Sequence, residues 1–340
     1  MLKGKRSATI LIPLKNRGNY TFRVLEYLQE SNCKYNILIA DGSKSRDINN
    51  KLILKNFPNL KITYKRFRHD KNFNDFLIKM ADTIKLVKDE YVYMLPNDDF
   101  LDLNFLKKAI IFLNKNNKYS CVGGQVININ IKNFFFKDNC IGRISLVGSQ
   151  YGKKSISVDN DDVYKRMLKY DYVFPVELLH KKKVLLKIFE LSMKYKVKNY
   201  HELNWVWATL PILFGKKKNL PTNCLLRQNN TVTGDGKGLT YKNIDYKIIN
   251  YYISDIKKIF FDKKNTQKFF LISNLLKKKI NDQKLFFQQR NKEFDKKYII
   301  TKYRSIIRNG LLKRLITFKA QNSMPKIKIF VSKVISLNYF

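Results

Sequence analysis

A chain of 340 residues is long enough to bury a full core, and 44% hydrophobic with 28% charged residues is the composition of a folded protein, not a disordered one. Lys plus Arg number 67 against 27 Asp plus Glu, a net charge of +40 that favours polyanionic partners: anionic lipid, phosphorylated substrates or nucleic acid. Cys33, Cys121, Cys140 and Cys224 stand far apart with no CxxC pair, which argues against a zinc site or a disulfide framework and fits a reducing cytoplasm.

The N-terminal apolar run is too short for the core of a signal peptide, and no stretch approaches a spanning helix, so the expectation is a soluble or peripheral protein. A source genome biased toward Lys, Asn and Ile codons would raise Lys by itself. It would not explain why acidic residues stay so few.

In chain order, Ala8 to Leu14 is a continuous β-branched and aliphatic run of buried-strand type, broken by Lys15-Asn16-Arg17-Gly18-Asn19. Apolar residues then recur at helical spacing over Tyr20 to Ser31. Tyr35 to Ala40 reads as a second strand ending in Asp41-Gly42-Ser43, followed by a helix over Asp47 to Asn56 and a short strand over Leu60 to Tyr64. Asn72 to Leu86 carries another helical stripe. Tyr91 to Leu95 is a strand that runs into Pro96-Asn97-Asp98-Asp99-Phe100, and Asp102 is placed to cap the next helix. Tyr119 to Ile131 alternates as a strand.

Beyond residue 132 the periodicity weakens: an irregular hairpin over Asn133 to Gln150, a helix over Asp159 to Lys169, and a strand over Asp171 to Leu179. Helices over Lys183 to Lys194 and Glu202 to Phe214 follow, then a strand over Asn223 to Gln228. From Asn243 onward the chain reads as helical and Lys-rich. Alternation of strands and helices predicts an α/β class with a mostly parallel sheet flanked by helices.

In an open α/β sheet, ligands bind beyond the carboxyl ends of the strands. Three of those ends carry ligand-like residues: Lys15-Asn16-Arg17, Asp41-Gly42-Ser43 and Asn97-Asp98-Asp99. Two adjacent carboxylates at a strand end make sense where a hard cation, Mn²⁺ or Mg²⁺, bridges them to phosphate oxygens. The competing reading is structural: Asp at a helix N-terminus, favoured by the dipole and as a cap.

Beginning with ATILIPLKNRG, passing through ILIADGS and reaching YVYMLPNDDFLD, the chain resembles a family 2 glycosyltransferase of the GT-A fold, of a bacterial subgroup with an Asp-Asp-Phe type acidic turn. The resemblance covers about residues 7 to 130, continues more weakly through Val173 to Arg227, and is absent from the last hundred. It implies residues 1–130 as the nucleotide-sugar-binding half of the GT-A domain and 131–240 as the acceptor-binding half, while composition marks 241–340 as a basic helical extension.

The resemblance implies that Pro13, Lys15, Asn16, Arg17, Asp41, Asn97 and Asp98 line the nucleotide pocket, and that Asp98 and Asp99 hold the metal. Here Pro96 and Asn97 stand where family members often have further acids. An inverting transfer needs a carboxylate to take the acceptor's proton, and the matching segment, His201-Glu202-Leu203, offers Glu202, with Leu203 where an Asp is expected. The other reading of Glu202 is a first-turn residue favoured by the helix dipole. His180 and Arg227 are candidate contacts to phosphate or acceptor. Trp205 and Trp207 read as core.

In Tyr303 to Ile316, apolar and basic residues separate at helical spacing, as in an interfacial helix on anionic lipid or a helix docked on the catalytic domain. The implied partners are a nucleotide-sugar donor, a glycan or lipid-linked acceptor in surface polysaccharide synthesis, and the inner face of the cytoplasmic membrane. Alternatives are a nucleic-acid-binding protein, a nucleotidyltransferase and a non-catalytic GT-A-like protein. No short recognition pattern interleaves aromatics with Arg, which disfavours nucleic acid.

Overall fold

The computed structural model describes residues 7–45, 48–131, 143–149, 156–169, 178–228, 254, 270–279 and 318–319. The chain opens with strand β1 (Ala8–Leu14), helix α1 (Gly18–Glu30), strand β2 (Asn36–Asp41), helix α2 (Asn50–Asn56) and strand β3 (Lys61–Arg66). Helix α3 (Phe73–Leu86) leads to β4 (Tyr91–Met94), the short β5 (Phe100–Leu101) and α4 (Leu103–Lys115). Then come β6 (Tyr119–Ile131), β7 (Arg143–Ser149), α5 (Val163–Lys169), β8 (Leu179–Lys181), α6 (Lys182–Lys194), α7 (Tyr200–Phe214), β9 (Lys216–Gln228) and β10 (Phe318–Lys319). A further helix covers residues 270–279.

The strands form one mixed sheet in the order β10-β7-β6-β8-β4-β1-β2-β3, with β9 paired to β5 and β6. The block β3-β2-β1-β4 is parallel, and β8 is inserted antiparallel between β4 and β6. Because β2 and β3 lie on one side of β1 and β4 on the other, the chain reverses its direction of travel across the sheet between β1 and β4. A crevice opens at such a switch point, outside the carboxyl ends of the strands.

Side-chain alternation along β1 builds a core on each face of the sheet. Ala8, Ile10, Ile12 and Leu14 pack with Val24, Leu25 and Leu28 of α1, Ile53 of α2, and Phe105, Leu106 and Leu113 of α4. Leu11 points the other way, into a cluster with Leu77, Met80 and Ile84 of α3, Leu185 and Ile188 of α6, Trp205 and Trp207 of α7, and Ile272 and Leu276. Each fully buried Leu or Ile contributes about 1.5–3 kcal/mol, so the two cores fix the strand ends that carry the site. Trp205 and Trp207 are core residues, as read from the sequence.

Local chemistry sets the boundaries. Asn72 and Asp75 form a reciprocal capping box at the start of α3, and the Asp102 carboxylate accepts from the Asn104 amide at 2.9 Å as the N-cap of α4. The helix expected from Asp47 begins at Asn50, after Asn49 accepts from the Leu52 amide at 2.9 Å.

Strand β9 starts at Lys216, well before the expected Asn223. Its polar first half, with little strand propensity, is recruited by the parallel ladder with β6 from Tyr119↔Lys216 onward, where tertiary pairing outweighs local preference. The expectation of an all-helical chain beyond Asn243 is corrected by β10, which pairs antiparallel with β7. The segment Tyr303 to Ile316 lies outside the described residues. Among the described residues no helix is long and apolar enough to cross a membrane.

At Gly124 there is no room for a side chain between β6 and β9: an added Cβ would meet the Thr222 carbonyl oxygen at 2.6 Å and Cys224 Cβ at 2.8 Å. Both obstacles belong to the sheet itself and cannot swing aside. Gly124→Ala is expected to destabilise the fold by about 1–3 kcal/mol in urea denaturation; an unchanged midpoint would show that β6 and β9 are not packed this closely.

Candidate active site at the strand ends

The loop after β1 and the loop after β2 are tied together at Asn16. Its amide donates to Ser43 Oγ at 2.7 Å, and its side-chain oxygen accepts from the Lys44 amide at 2.8 Å. Asn16 adopts φ 53°, a left-handed conformation that Asn tolerates better than most residues. Pro13 and Lys15 are half-buried beside it. The loop after β4 joins through Arg17, whose Nη2 meets Asp98 Oδ2 at 3.1 Å, and through Asn97, whose Nδ2 donates to Thr21 Oγ1 at 3.3 Å. The three strand ends expected to form a pocket are therefore brought together across the switch point.

Asp41, at the end of β2, is buried with both oxygens engaged. Oδ1 accepts from the Ser43 amide at 2.8 Å, and Oδ2 accepts from Tyr64 Oη at 2.5 Å and Arg66 Nη1 at 2.6 Å. Burial alone would raise its pKa, but hydrogen bonds from Ser43, Tyr64 and Arg66 outweigh it and hold the carboxyl below the usual range. Its role in this structure is to anchor Arg66, which also donates to the Ser43 carbonyl.

Beneath the same ends lies a fully buried ion pair that the strand-end reading passed over. Lys79 Nζ contacts Asp70 Oδ2 and donates to the Leu14 carbonyl at 3.1 Å, while the Asp70 amide donates to the Gly42 carbonyl at 2.9 Å. Burial pushes the Asp70 carboxyl up and the Lys79 ammonium down, and their mutual contact opposes both shifts. Gly42 packs so tightly on the Asp70 carboxylate that a Cβ there would collide with it. A signal was present in the sequence: Lys79 interrupts the apolar stripe of Phe76, Met80 and Ile84 on α3.

The two carboxylates of the acidic turn have different surroundings. Asp98 is 13% exposed and paired with Arg17, whose guanidinium lies 4.3 Å from the centroid of the Tyr20 ring. Asp99 is 2% exposed, and its Oδ1 accepts from the Gln228 amide at 3.0 Å. Burial, with Asp98 beside it, pushes the Asp99 carboxyl up to about 8, against the pull of Arg227, the Gln228 amide and Arg23.

Arg23, fully buried on α1, donates to the Asp98 carbonyl at 2.8 Å, and burial brings its guanidinium down to about 10. The expectation that Asp98 and Asp99 hold a divalent ion together is not met by this donor set. Asp99 is turned into the protein to hold β9, and Asp98 already faces a cation. Among the described residues no group of three or more His, Cys, Asp or Glu side chains could hold a metal ion.

Glu202 is 1% exposed, and both its oxygens serve the start of α7. Oε2 accepts from the Lys198 amide at 2.8 Å and Oε1 from Asn199 Nδ2 at 3.0 Å, while the Glu202 amide donates to Asn199 Oδ1 at 3.0 Å. This is a helix cap; the base role expected of Glu202 would require it to leave that cap. His180 lies in β8 between β4 and β6, fully buried, and its Nε2 accepts from Trp207 Nε1 at 2.9 Å. The residue expected to contact phosphate or acceptor thus stands in the core beside Trp207. Arg227, half-buried on β9, lies within electrostatic reach of Asp99 at the acidic turn.

No family model matches the chain, and no curated protein matches it. Among solved structures, that of S. aureus TarS 1–349 matches with a TM-score of 0.50 at 11% identity, over 77% of this chain and 69% of that one. The same TarS fragment in complex with UDP-GlcNAc gives 0.48 at 9% identity, over 77% and 70%. GalNAc-T7 with UDP, GalNAc and Mn²⁺ gives 0.49 at 13% identity, over 79% and 55%. The likeness shows the fold: a GT-A arrangement of sheet and helices.

Asp41→Asn is expected to cost about 1–3 kcal/mol at neutral pH, because Arg66 and Tyr64 lose a charged acceptor. Since the folded carboxyl titrates below its unfolded value of about 3.9, its contribution is complete above that pH. It fades as pH falls through the folded pKa, so the urea midpoints of wild type and variant should converge in acid. A gap that persists unchanged at low pH would mean that ionised Asp41 is not the source.

For the α7 cap, Glu202→Ala should lower stability by about 0.5–2 kcal/mol in thermal denaturation, with Glu202→Gln intermediate because it keeps one acceptor. Equal stability of all three proteins would contradict the cap.

Proposed function

We propose that the protein is a glycosyltransferase that takes a nucleotide-sugar as donor and moves its sugar to a glycan or lipid-linked acceptor. The observation that carries this reading is the closure of three strand ends around the switch point, Asn16 to Ser43 and Lys44 on one side and Arg17 to Asp98 on the other. A fold does not fix an activity. What favours this one is that the polar groups at the ends of β1, β2 and β4 match in type and order those expected of a nucleotide pocket.

The structures similar in fold include one of TarS in complex with UDP-GlcNAc and one of GalNAc-T7 with UDP, GalNAc and Mn²⁺, and a nucleoside diphosphate sugar is the donor class we carry over to this chain. In this reading Pro13, Lys15 and Asn16 form the wall nearest the base and ribose. Arg17, Asp98 and Arg227 form the charged end beside the diphosphate, and Asp41 acts through Arg66 to hold the β2 loop. Inversion at the anomeric carbon and a role in surface polysaccharide synthesis belong to the same proposal. The net charge of +40 favours an acceptor presented at an anionic membrane face.

The test is a thermal-shift panel of nucleoside diphosphates and their sugars, each with and without Mn²⁺. The expected outcome is stabilisation by one base series, worth about 2.7 kcal/mol at a ligand concentration near 100 Kd. A protein indifferent to the whole panel, yet binding nucleic acid with a steep dependence on salt, would instead satisfy the nucleic-acid reading.

A further inference from the structure

The acidic turn is the part of the cleft where the charge balance differs from what a divalent cation requires. Two carboxylates, Asp98 and Asp99, stand against three guanidinium groups. Arg17 is ion-paired to Asp98 at 3.1 Å, Arg23 donates to the Asp98 carbonyl at 2.8 Å, and Arg227 lies within electrostatic reach of Asp99. Among the described residues, and even with both carboxylates ionised, these five side chains carry one net positive charge. A doubly charged cation entering it would displace Arg17 from its partner and then sit beside three like charges, whereas a diphosphate would be attracted.

The cations are also held in place. Arg17 lies 4.3 Å and Arg23 5.0 Å from the centroid of the same Tyr20 ring, and Arg23 lies 4.9 Å from that of Phe100. Stacking of this kind orients a guanidinium while leaving its edge donors free to meet oxygen ligands. Arg17 is 20% exposed and Arg23 fully buried, so Arg17 is the member of the stack that a ligand in the cleft can reach.

We infer that Arg17 is the cation for the donor's diphosphate, released from Asp98 when the donor enters, and that donor binding needs no divalent ion. This rests on the nucleotide-sugar reading above and adds to it the group that meets the phosphates. The exchange is one of ion pairs: the guanidinium leaves a carboxylate for phosphoryl oxygens, with no covalent change. Bidentate contact to phosphate is the geometry to which Arg is suited. Asp98 is thereby a placeholder that holds the guanidinium until phosphate replaces it.

Isothermal titration of the full chain with UDP and GDP, in excess EDTA and separately in Mn²⁺, tests this directly, with uridine and guanosine as phosphate-free controls. For the nucleotide that binds, the affinities in EDTA and in Mn²⁺ should agree within about twofold. Arg17→Ala should weaken the diphosphate by about tenfold or more while leaving the matching nucleoside unchanged, a split that a merely misfolded pocket would not give. Asp98→Asn, which frees Arg17 from its competing carboxylate and removes a negative charge from beside the diphosphate, should raise diphosphate affinity in EDTA.

Binding that appears only with Mn²⁺, collapse of binding in Asp98→Asn, or an Arg17→Ala protein that binds diphosphate like wild type would each overturn the inference while leaving the transferase reading in place. Failure of UDP and GDP to bind wild type, with or without metal, together with a blank across the wider thermal-shift panel of nucleoside diphosphates, would remove both.

Discussion

Carboxylates crowded at one edge of a parallel sheet must each be neutralised, and the way this chain does so organises everything around the cleft. Asp41 at the end of β2 is paired with Arg66, Asp70 just beyond β3 with Lys79, and Asp98 beyond β4 with Arg17. Each pair joins a strand end to a different segment, so neutralisation and loop placement are one act. Lys79 illustrates the point: from α3 it contacts Asp70 and also takes the Leu14 carbonyl, locking the end of β1 to the segment after β3. Burying such a pair is costly in desolvation, and its worth to the protein is better sought in where it puts the backbone than in net stability.

The scaffold beneath is what lets those pairs meet. The two faces of β1 feed two separate hydrophobic clusters, one with α1, α2 and α4 and the other with α3, α6 and α7. Helices that flank the sheet on both sides leave its carboxyl edge as the place where loops converge. β8 sits antiparallel between β4 and β6 and carries the parallel block across to β6, whose ladder with β9 brings Arg227 and Gln228 to the acidic turn. Residues far apart in the chain thus share the charge cluster: Asp99 is held by the amide of Gln228, and Arg23 of α1 by the carbonyl of Asp98.

Much of this was legible in the residues. The run Ala8 to Leu14, the alternation of Tyr119 to Ile131 and the Asp102 cap appear in the structure where their patterns placed them. Individual side chains were harder to read. His180 looked like a polar residue after a strand, yet it hydrogen-bonds to Trp207 in the core, because β8 is covered on both sides by strands the pattern did not predict as its neighbours. Glu202 looked free for chemistry at a helix start, and the same position made it a capping partner for Asn199 and Lys198. Asp98 and Asp99 are adjacent in sequence and were read as a pair, but successive residues in a turn face different ways: Asp98 keeps some exposure and pairs with Arg17, while Asp99 is buried against the Gln228 amide.

By itself, the sequence determined the periodicities of the α/β scaffold, the polar strand ends after β1, β2 and β4, and the excess of cations. These follow from local properties: which side chains repeat at a helix or strand period, and which residues break that period. Only the tertiary structure decided which cation meets which carboxylate. Ion pairing depends on distances between segments separated by tens of residues, such as Arg17 and Asp98 or Arg66 and Asp41, and on how much water remains around each group. Neither quantity exists until the sheet is assembled and its two cores are closed.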